Sequence, residues 1–293
     1  MDLHVIYLIV ITLIAGMVNG GLGYGFSSIT VPLALLFLSN RILNPALVLI
    51  EVALNAYVLA VNRTAISSVW RRIGMIVAAL LPGVIAGTLV VSYISSSWLK
   101  LWTYMILLPL ILFQAAGYRR PIRSERSIGA PFGLGLGLLY STTTISGPPL
   151  AVLLNNQGLS KREFRAALGV IRLAESTFTA VAYLTAGLIT TRSLMLIPQI
   201  LPSVLIGVPI GAFLIRHIRA ESFRRLCMSF DAWIVGFGVS SILRDVKLVE
   251  GANAYLFLGA VVLIDAWLRW RFFTVANVTE PISPAVGSLG EQT

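Results

Sequence analysis

Residues 16–34 read Gly16-Met-Val-Asn-Gly-Gly-Leu-Gly-Tyr-Gly-Phe-Ser-Ser-Ile-Thr-Val-Pro-Leu-Ala34, an apolar stretch full of residues that break helices. A second stretch, Gly133-Leu-Gly-Leu-Gly-Leu-Leu-Tyr-Ser-Thr-Thr-Thr-Ile-Ser-Gly-Pro-Pro-Leu-Ala151, matches it at a spacing of 117 residues. Further on, residues 81–87 match residues 201–207. A duplicated membrane chain with an interrupted apolar segment in each half is typical of a secondary transporter, and the interruption usually marks the binding site.

The composition is that of a membrane protein. Of the 293 residues, 57% are hydrophobic and 12% are charged, whereas a soluble domain has about 25% charged residues. Further apolar runs approach or exceed the roughly 20 residues that cross the hydrocarbon core of a bilayer. These runs are 44–62, 73–94, 98–116, 164–189, 194–215, 223–243 and 253–270. We therefore expect one polytopic, all-α membrane protein in a lipid bilayer.

Charge and residue usage exclude several function classes. The net charge is +10, but the Arg and Lys residues lie in short loops between apolar runs, where they encode orientation. We therefore expect no nucleic-acid partner. The single cysteine excludes an internal disulfide and a multi-cysteine metal site. The sequence has no His/Cys/carboxylate metal motif, phosphate-binding loop or nucleophile elbow, so we predict a protein that is not an enzyme and uses no metal or cofactor.

The basic residues predict the topology, because short loops rich in Arg and Lys tend to stay in the cytoplasm. The segments 63–72, 117–127, 160–165 and 216–225 each carry several and are predicted to be cytoplasmic. The segments 39–43, 95–100 and 244–250, and Arg192, are predicted to lie outside. The N-terminus is then outside and the C-terminus cytoplasmic. The second interrupted stretch crosses an even number of times, as a re-entrant hairpin or as two short spans.

By analogy, the first interrupted stretch begins and ends outside. The two halves then have inverted orientations, and their breaks face each other near the midplane of the membrane. We expect repeat 1 over residues 1–116, a cytoplasmic linker over 117–127 and repeat 2 over 128–243. An extra C-terminal helix follows over 253–273, and a disordered cytoplasmic tail over 274–293. Each repeat contains a broken helix pair followed by about three spans.

The two breaks are candidate anion-binding elements. In hydrocarbon an unpaired backbone N–H or C=O costs several kcal/mol, so a break persists only if protein, water or substrate satisfies it. A short helix is predicted after each break, with Ser27, Ser28 and Thr30 at its N-terminus in the first half and Thr142, Thr143, Thr144 and Ser146 in the second. Such an N-terminus, with free N–H groups and partial positive charge, suits an anion. The alternative is that the glycines only let helices pack closely. The substrate-binding candidates are Asn19, Gly20, Gly21, Gly23, Gly25, Ser27, Ser28, Thr142, Thr143, Thr144, Ser146 and Gly147.

Arg172 is a further candidate, because it lies inside the apolar run 164–189, 8 residues from its start and 17 from its end. An Arg at the bilayer centre costs about 2.5–3.5 kcal/mol, so we expect it to face a cavity or a partner. The repeat spacing maps Asn55 onto Arg172. In one interpretation Arg172 binds the substrate anion, Asn55 is a neutral donor, and Glu51 or Glu175 carries a coupling proton. In the other, Arg172 forms a structural lock with a glutamate between helices; Glu175, at i+3, could also pair with it.

At these residues the chain resembles the TauE/SafE family of sulfite exporters, over residues 3–270. The resemblance rests on Gly16-x-x-Asn-Gly-Gly-x-Gly-x-Gly25 with Pro32, and on Gly133-x-Gly-x-Gly137 with Ser146-Gly-Pro-Pro149. It also uses the duplicated layout and the basic loop after the second motif. Tyr140-Ser-Thr-Thr-Thr stands where family members often have more glycine.

The resemblance implies a bacterial or archaeal plasma-membrane carrier with inverted repeats. Its substrates would be sulfite, organosulfonates such as sulfoacetate, or other small organic anions. We expect a secondary carrier in a bacterial inner membrane, with a small anionic substrate as its partner. An anion channel on the same scaffold and a non-transporting membrane subunit are the alternatives. A homodimer is compatible with the sequence.

Overall fold

The computed structural model describes residues 3–61, 66–115, 125–155, 159–214, 220–245, 249 and 251–278. The regular elements described are helical, and the 3₁₀ turn Gly251–Tyr255 precedes the last helix. The helices are α1 (Leu3–Leu22), α2 (Phe26–Ala34), α3 (Asn40–Val61), α4 (Ile66–Tyr93), α5 (Ser96–Ala115), α6 (Glu125–Thr143), α7 (Gly147–Asn155), α8 (Lys161–Thr185), α9 (Thr191–Leu214), α10 (Ala220–Asp245) and α11 (Leu256–Val278). Residues 117–124 of the predicted linker, loop residues 63–65 and 216–219, and the tail beyond 278 lie outside the described residues.

The helices support the prediction of a multi-pass α-helical membrane protein. Among the described residues, α1, α3, α4, α8 and α9 contain segments that are long and apolar enough to cross a bilayer. The helices α5, α10 and α11 cover the other predicted spans, at 98–116, 223–243 and 253–270. Each break is followed by one short helix and three long ones.

The first predicted interruption lies between α1 and α2. α1 ends at Leu22, and Gly23 and Gly25 have positive φ angles of 82° and 105° before α2 begins at Phe26. This backbone conformation is accessible to glycine and strained for other L-residues. The two glycines therefore interrupt the helix inside the protein, as the prediction of a broken helix requires.

The second interruption is present but lies later in the chain than predicted. We expected Thr142 and Thr143 to lie at the start of the helix that follows the break. They instead form the end of α6, so that prediction is wrong. The residue that terminates α6 in a left-handed conformation is Thr144, with a φ of 58°. α7 then begins at Gly147, directly after Ser146.

Glycines join each interrupted helix to a helix of the other half. A methyl group added at Gly20 of α1 would overlap the carbonyl of Val208 in α9, and one added at Gly207 would overlap the carbonyl of Leu13. The register of these contacts shows that α1 and α9 run in the same direction. Glycines spaced by four residues let two membrane helices approach this closely.

The same arrangement recurs with the halves exchanged. A methyl group at Gly133 of α6 would overlap the carbonyl of Ile76 in α4, and one at Gly137 would overlap that of Leu80. α4 and α6 therefore also run in the same direction. The first helix of each half thus packs against the fourth helix of the other half. We call the α1–α9 and α4–α6 contacts the glycine seams.

The helices α3 and α8 cross at the centre in opposite directions. Leu59 lies against Gly169, and toward the start of α3 the Nδ2 atom of Asn55 donates to the carbonyl oxygen of Arg172 at 3.3 Å. Contacts nearer the start of α3 therefore lie nearer the end of α8, so the two helices are antiparallel. α5 packs against α10, and α11 packs against α10.

A ring stack and a buried carboxylate join other parts of the helices. The rings of His4, near the start of α1, and Phe37, just after α2, stack with their centroids 5.3 Å apart. Residues at the start of α1 and just after α2 are therefore close together. Elsewhere, the buried carboxylate of Asp265 in α11 accepts from Ser229 Oγ at 3.0 Å and from Trp233 Nε1 at 3.1 Å, both in α10.

Candidate functional site

The two breaks meet in the protein interior. A Cβ atom at Gly147, the first residue of α7, would lie 3.2 Å from Cδ2 of Tyr24 in the first break. Tyr24 and Gly147 are both buried. The N-termini of α2 and α7 therefore start from neighbouring points, close to the crossing of α3 and α8.

Arg172 is the cation of this region, and it is 3% exposed. Its Nη2 atom lies 3.0 Å from Oε1 of Glu51, and its Nη1 atom donates to Oδ1 of Asn19 at 3.4 Å. Its Nε atom lies 4.0 Å from Oε1 of Glu175. The guanidinium thus joins α1, α3 and α8, with Glu51 as its closest carboxylate.

Glu51 accepts hydrogen bonds from both halves. Ser27, the second residue of α2, donates to Oε1 at 2.5 Å. Tyr140 of α6 donates its hydroxyl to Oε2 at 2.7 Å. Together with Arg172, these donors satisfy a carboxylate that is fully buried. Ionised groups in a membrane interior persist only with partners of this kind.

Glu175 is satisfied on one side only. Ser146, directly before α7, donates its hydroxyl to Oε1 of Glu175. Oε2 of Glu175 and Nε of Arg172 are both buried and have no hydrogen-bond partner. A carboxylate therefore lies at the start of each short helix: Glu51 beside α2 and Glu175 beside α7. Among the described residues, no group of His, Cys, Asp and Glu side chains is arranged to hold a metal ion.

Asn55 and the hydroxyl groups of Thr142 and Thr143 hydrogen-bond to other parts of the protein. The Nδ2 atom of Asn55 donates to the Arg172 carbonyl and lies 3.5 Å from Ser176 Oγ, so it joins α3 to α8. The hydroxyls of Thr142 and Thr143 donate back to the carbonyls of α6, at 2.8 Å and 2.7 Å. Their hydroxyls stabilise the end of a helix.

The remaining candidates divide between the breaks and the seams. Gly23 and Gly25 form the first turn, whereas Gly20 packs against α9. Ser28 is buried in α2, next to Ser27. Thr144 donates its hydroxyl to the carbonyl of Thr143 at 2.7 Å. Gly21 is buried near the end of α1.

Three residues that support the site through hydrogen bonds were not predicted. Tyr140 donates to Glu51, Tyr183 donates to the carbonyl oxygen of Ser141, and Asn44 donates to that of Thr142 at 2.8 Å. All three are fully buried. The signal for Tyr140 was present, since it directly precedes the Ser-Thr-Thr-Thr run, but a tyrosine in an apolar stretch is ordinarily a packing residue.

A cavity of about 580 Å³ leads to this cluster between α1, α3, α8 and α9. Its lining is mostly apolar, with Leu54, Leu201 and Val208 among the contributors. Asn19 lines it and contacts Arg172, and Arg165 of α8 also lines it. The cavity therefore connects the charged cluster to the part of the protein where α8 begins.

A model of the family described as sulfite exporter TauE/SafE matches residues 8–237, which include every member of the charged cluster. No curated protein and no solved structure matches the chain. The matched segment covers well over half of the sequence and most of the helices described above. The chain therefore belongs to the TauE/SafE sulfite exporter family, a family of membrane transporters.

Proposed function

We propose that this protein is a secondary transporter of small sulfur-containing anions, such as sulfite or organosulfonates, which bind between the two helix breaks. The observation that carries the proposal is the buried guanidinium of Arg172 at the point where the breaks converge. Family membership supplies the substrate class.

The chemistry of the cluster suits a tetrahedral or pyramidal oxyanion. A guanidinium presents several N–H donors in a fixed plane and recognises oxyanions through two bonds at once. Ser27 and Tyr140 add neutral hydroxyl donors within reach of the same carboxylate that Arg172 binds. The N-terminus of α2 adds partial positive charge. α7 contributes fewer donors than expected, because Pro148 and Pro149 have no N–H.

We also propose that the site lies near the membrane midplane, between inverted repeats. The antiparallel crossing of α3 and α8 and the exchanged glycine seams support a two-fold relation in the membrane plane, as inverted-repeat transporters have. The 117-residue spacing of the sequence match relates Asn55 to Arg172, and the two residues contact each other, in keeping with an axis near this point.

The interrupted segments are best explained as re-entrant hairpins. α2 and α7 have nine residues each, or about 13 Å at 1.5 Å per residue. That is less than half of the roughly 30 Å hydrocarbon core. The contact of His4 with Phe37 supports a segment that returns to its own side. With the basic loops cytoplasmic, Arg165 and the cavity face the cytoplasm of a bacterial cell, and the N-terminus faces outward.

Uptake by the purified protein in liposomes tests the proposal, with sulfite, sulfate, taurine, sulfoacetate and carboxylate analogues as the panel. A carrier saturates and shows counterflow of labelled substrate. The alternative, an anion channel, conducts in proportion to the driving force and shows no exchange. If no anion of the panel is transported or bound, the proposed function is wrong.

A further inference from the structure

Glu51 already holds the donors that an anion in this site would need. Its oxygens accept from Ser27 at 2.5 Å, from Tyr140 at 2.7 Å and from Arg172 at 3.0 Å. These groups come from α2, α6 and α8, and so from both halves. We propose that the Glu51 carboxylate occupies the place of the transported anion, and that the anion binds only after Glu51 takes up one proton.

This inference rests on the proposed function and explains why the buried cation is not free. Arg172 is the cation of the described cluster, and Glu51 and Glu175 are its carboxylates. An anion that entered beside ionised Glu51 would add a further negative charge to the same interior. An uncompensated buried charge costs several kcal/mol. If Glu51 is protonated first, the incoming anion replaces its charge, and the net charge of the cluster stays the same.

The proton balance fixes the direction of coupling. Water on the side to which the site is open supplies the proton, which bonds to a carboxylate oxygen of Glu51. The anion then replaces that carboxyl group as the partner of Arg172. When the anion leaves on the other side, Glu51 returns its proton to water there and binds Arg172 again. One proton therefore accompanies each anion in the same direction.

Glu175 is the other carboxylate of the cluster, and it does not hold the donors that an anion in this site would take over. α8 presents Arg172 and Glu175, α6 presents the Tyr140 hydroxyl, and α1 and α2 present the uncharged Asn19 and Ser27. Glu175 accepts from Ser146, and its second oxygen has no partner. It holds fewer donors than Glu51 and lies farther from the guanidinium.

Calorimetry with the full-length protein in detergent tests the coupling. Methanesulfonate is the probe, because it stays a monoanion across the pH range. Titrations in two buffers of different ionisation enthalpy, at several pH values, give the number of protons taken up per bound anion. We expect about one in the wild type, with an affinity that falls as the pH rises.

Glu51→Gln keeps the shape of the side chain and removes its charge. It should bind methanesulfonate with almost no proton uptake and an affinity nearly independent of pH. Asp265→Asn is the matched control, because it removes a buried carboxylate that bonds only α10 side chains in the described contacts. Its proton uptake should equal that of the wild type.

The outcomes separate this inference from the proposed function. Binding to the wild type without proton uptake overturns the inference and leaves the transported class intact. Uptake that persists in Glu51→Gln and disappears in Glu175→Gln overturns the assignment to Glu51. Absence of binding for the whole anion panel overturns both.

A second measurement covers the case in which Glu51→Gln does not fold. Infrared difference spectra of the wild type, recorded on addition of methanesulfonate, should gain the carbonyl band of a protonated carboxylic acid. The same band should appear in Asp265→Asn. If the wild type gains no such band, Glu51 does not take up a proton on binding and the inference is wrong.

Discussion

Arg172 joins three helices, because its guanidinium on α8 donates to Asn19 of α1 and pairs with Glu51 of α3. Arg172→Gln should weaken the binding of a sulfonate by at least about tenfold, or ~1.4 kcal/mol. Arg192→Gln, an exposed position at the start of α9, is the control and should bind normally. Calorimetry with the best anion of the panel measures both.

The same substitution should also lower stability, since removal of one partner from a buried ion pair costs about 3–5 kcal/mol. The double variant Arg172→Gln/Glu51→Gln removes the orphaned carboxylate and should unfold at a higher temperature than Arg172→Gln alone. Both variants should lack tight binding. Normal anion affinity in a folded Arg172→Gln would show that the guanidinium has only a structural role.

Ser27 permits a finer test of the hydroxyl donors. Ser27→Ala removes the hydroxyl that bonds Glu51 and should weaken anion binding by about fivefold, the equivalent of ~1 kcal/mol for one hydrogen bond. Ser240→Ala is the control, since the buried Ser240 hydroxyl bonds the carbonyl of Gly236 in its own helix. Equal affinities for the two variants would remove Ser27 from the binding site.

At the scale of elements, the glycine seams hold the interrupted helices in place. Gly207→Val in α9 and Gly87→Val in α4 would each force a side chain into the backbone or side chain of the helix opposite. We expect both to lower the unfolding temperature strongly, although the two positions lie in different halves. Gly135→Val in α6 is the control, because a Cβ atom there has open space. Thermal unfolding in detergent measures all three, and an equal loss for Gly135→Val would mean that the seams are not specific.

The sequence predicted the elements better than it predicted their partners. The glycines at 23 and 25 located the first break, because few residues other than glycine adopt positive φ readily. The second break was misplaced because a threonine, Thr144, has the left-handed conformation there, and no glycine marks it. The pairing of α1 with α9 depends on contacts between residues about 190 positions apart, which periodicity does not encode.

The site was predicted in the same uneven way. Arg172, Glu51, Glu175, Ser27 and Ser146 do lie together. The signal for Arg172 was its depth in an apolar run. The glutamates were found by their spacing from Arg172 and Asn55, and the serines by their position beside the breaks. Tyr140 was missed because its hydroxyl reaches Glu51 only when α6 packs beside α3, which the sequence does not show. Whether these residues bind a substrate remains a prediction.

At the scale of the whole molecule, the proposed inverted topology predicts which face of the membrane each loop is exposed to. In a Cys227→Ala background, single cysteines at Pro121 and Lys161 should react with an impermeant thiol reagent from the cytoplasmic face only. A cysteine at Arg192 should react from the outside only. Reaction of the first two from opposite faces would exclude an even number of crossings between them.

The α1–α9 seam also has a consequence for biosynthesis. The ribosome makes α1 first, and Val208, which meets Gly20, is added 188 residues later. At bacterial or eukaryotic elongation rates that interval is about 10–40 s. During this time α1 lacks the α9 backbone against which its glycine face packs in the folded protein, whereas α4 waits for α6 for a third of that time or less. Nascent chains arrested before α9 should therefore be recognised by the membrane quality-control proteases as unfinished, even though the whole first half has been made.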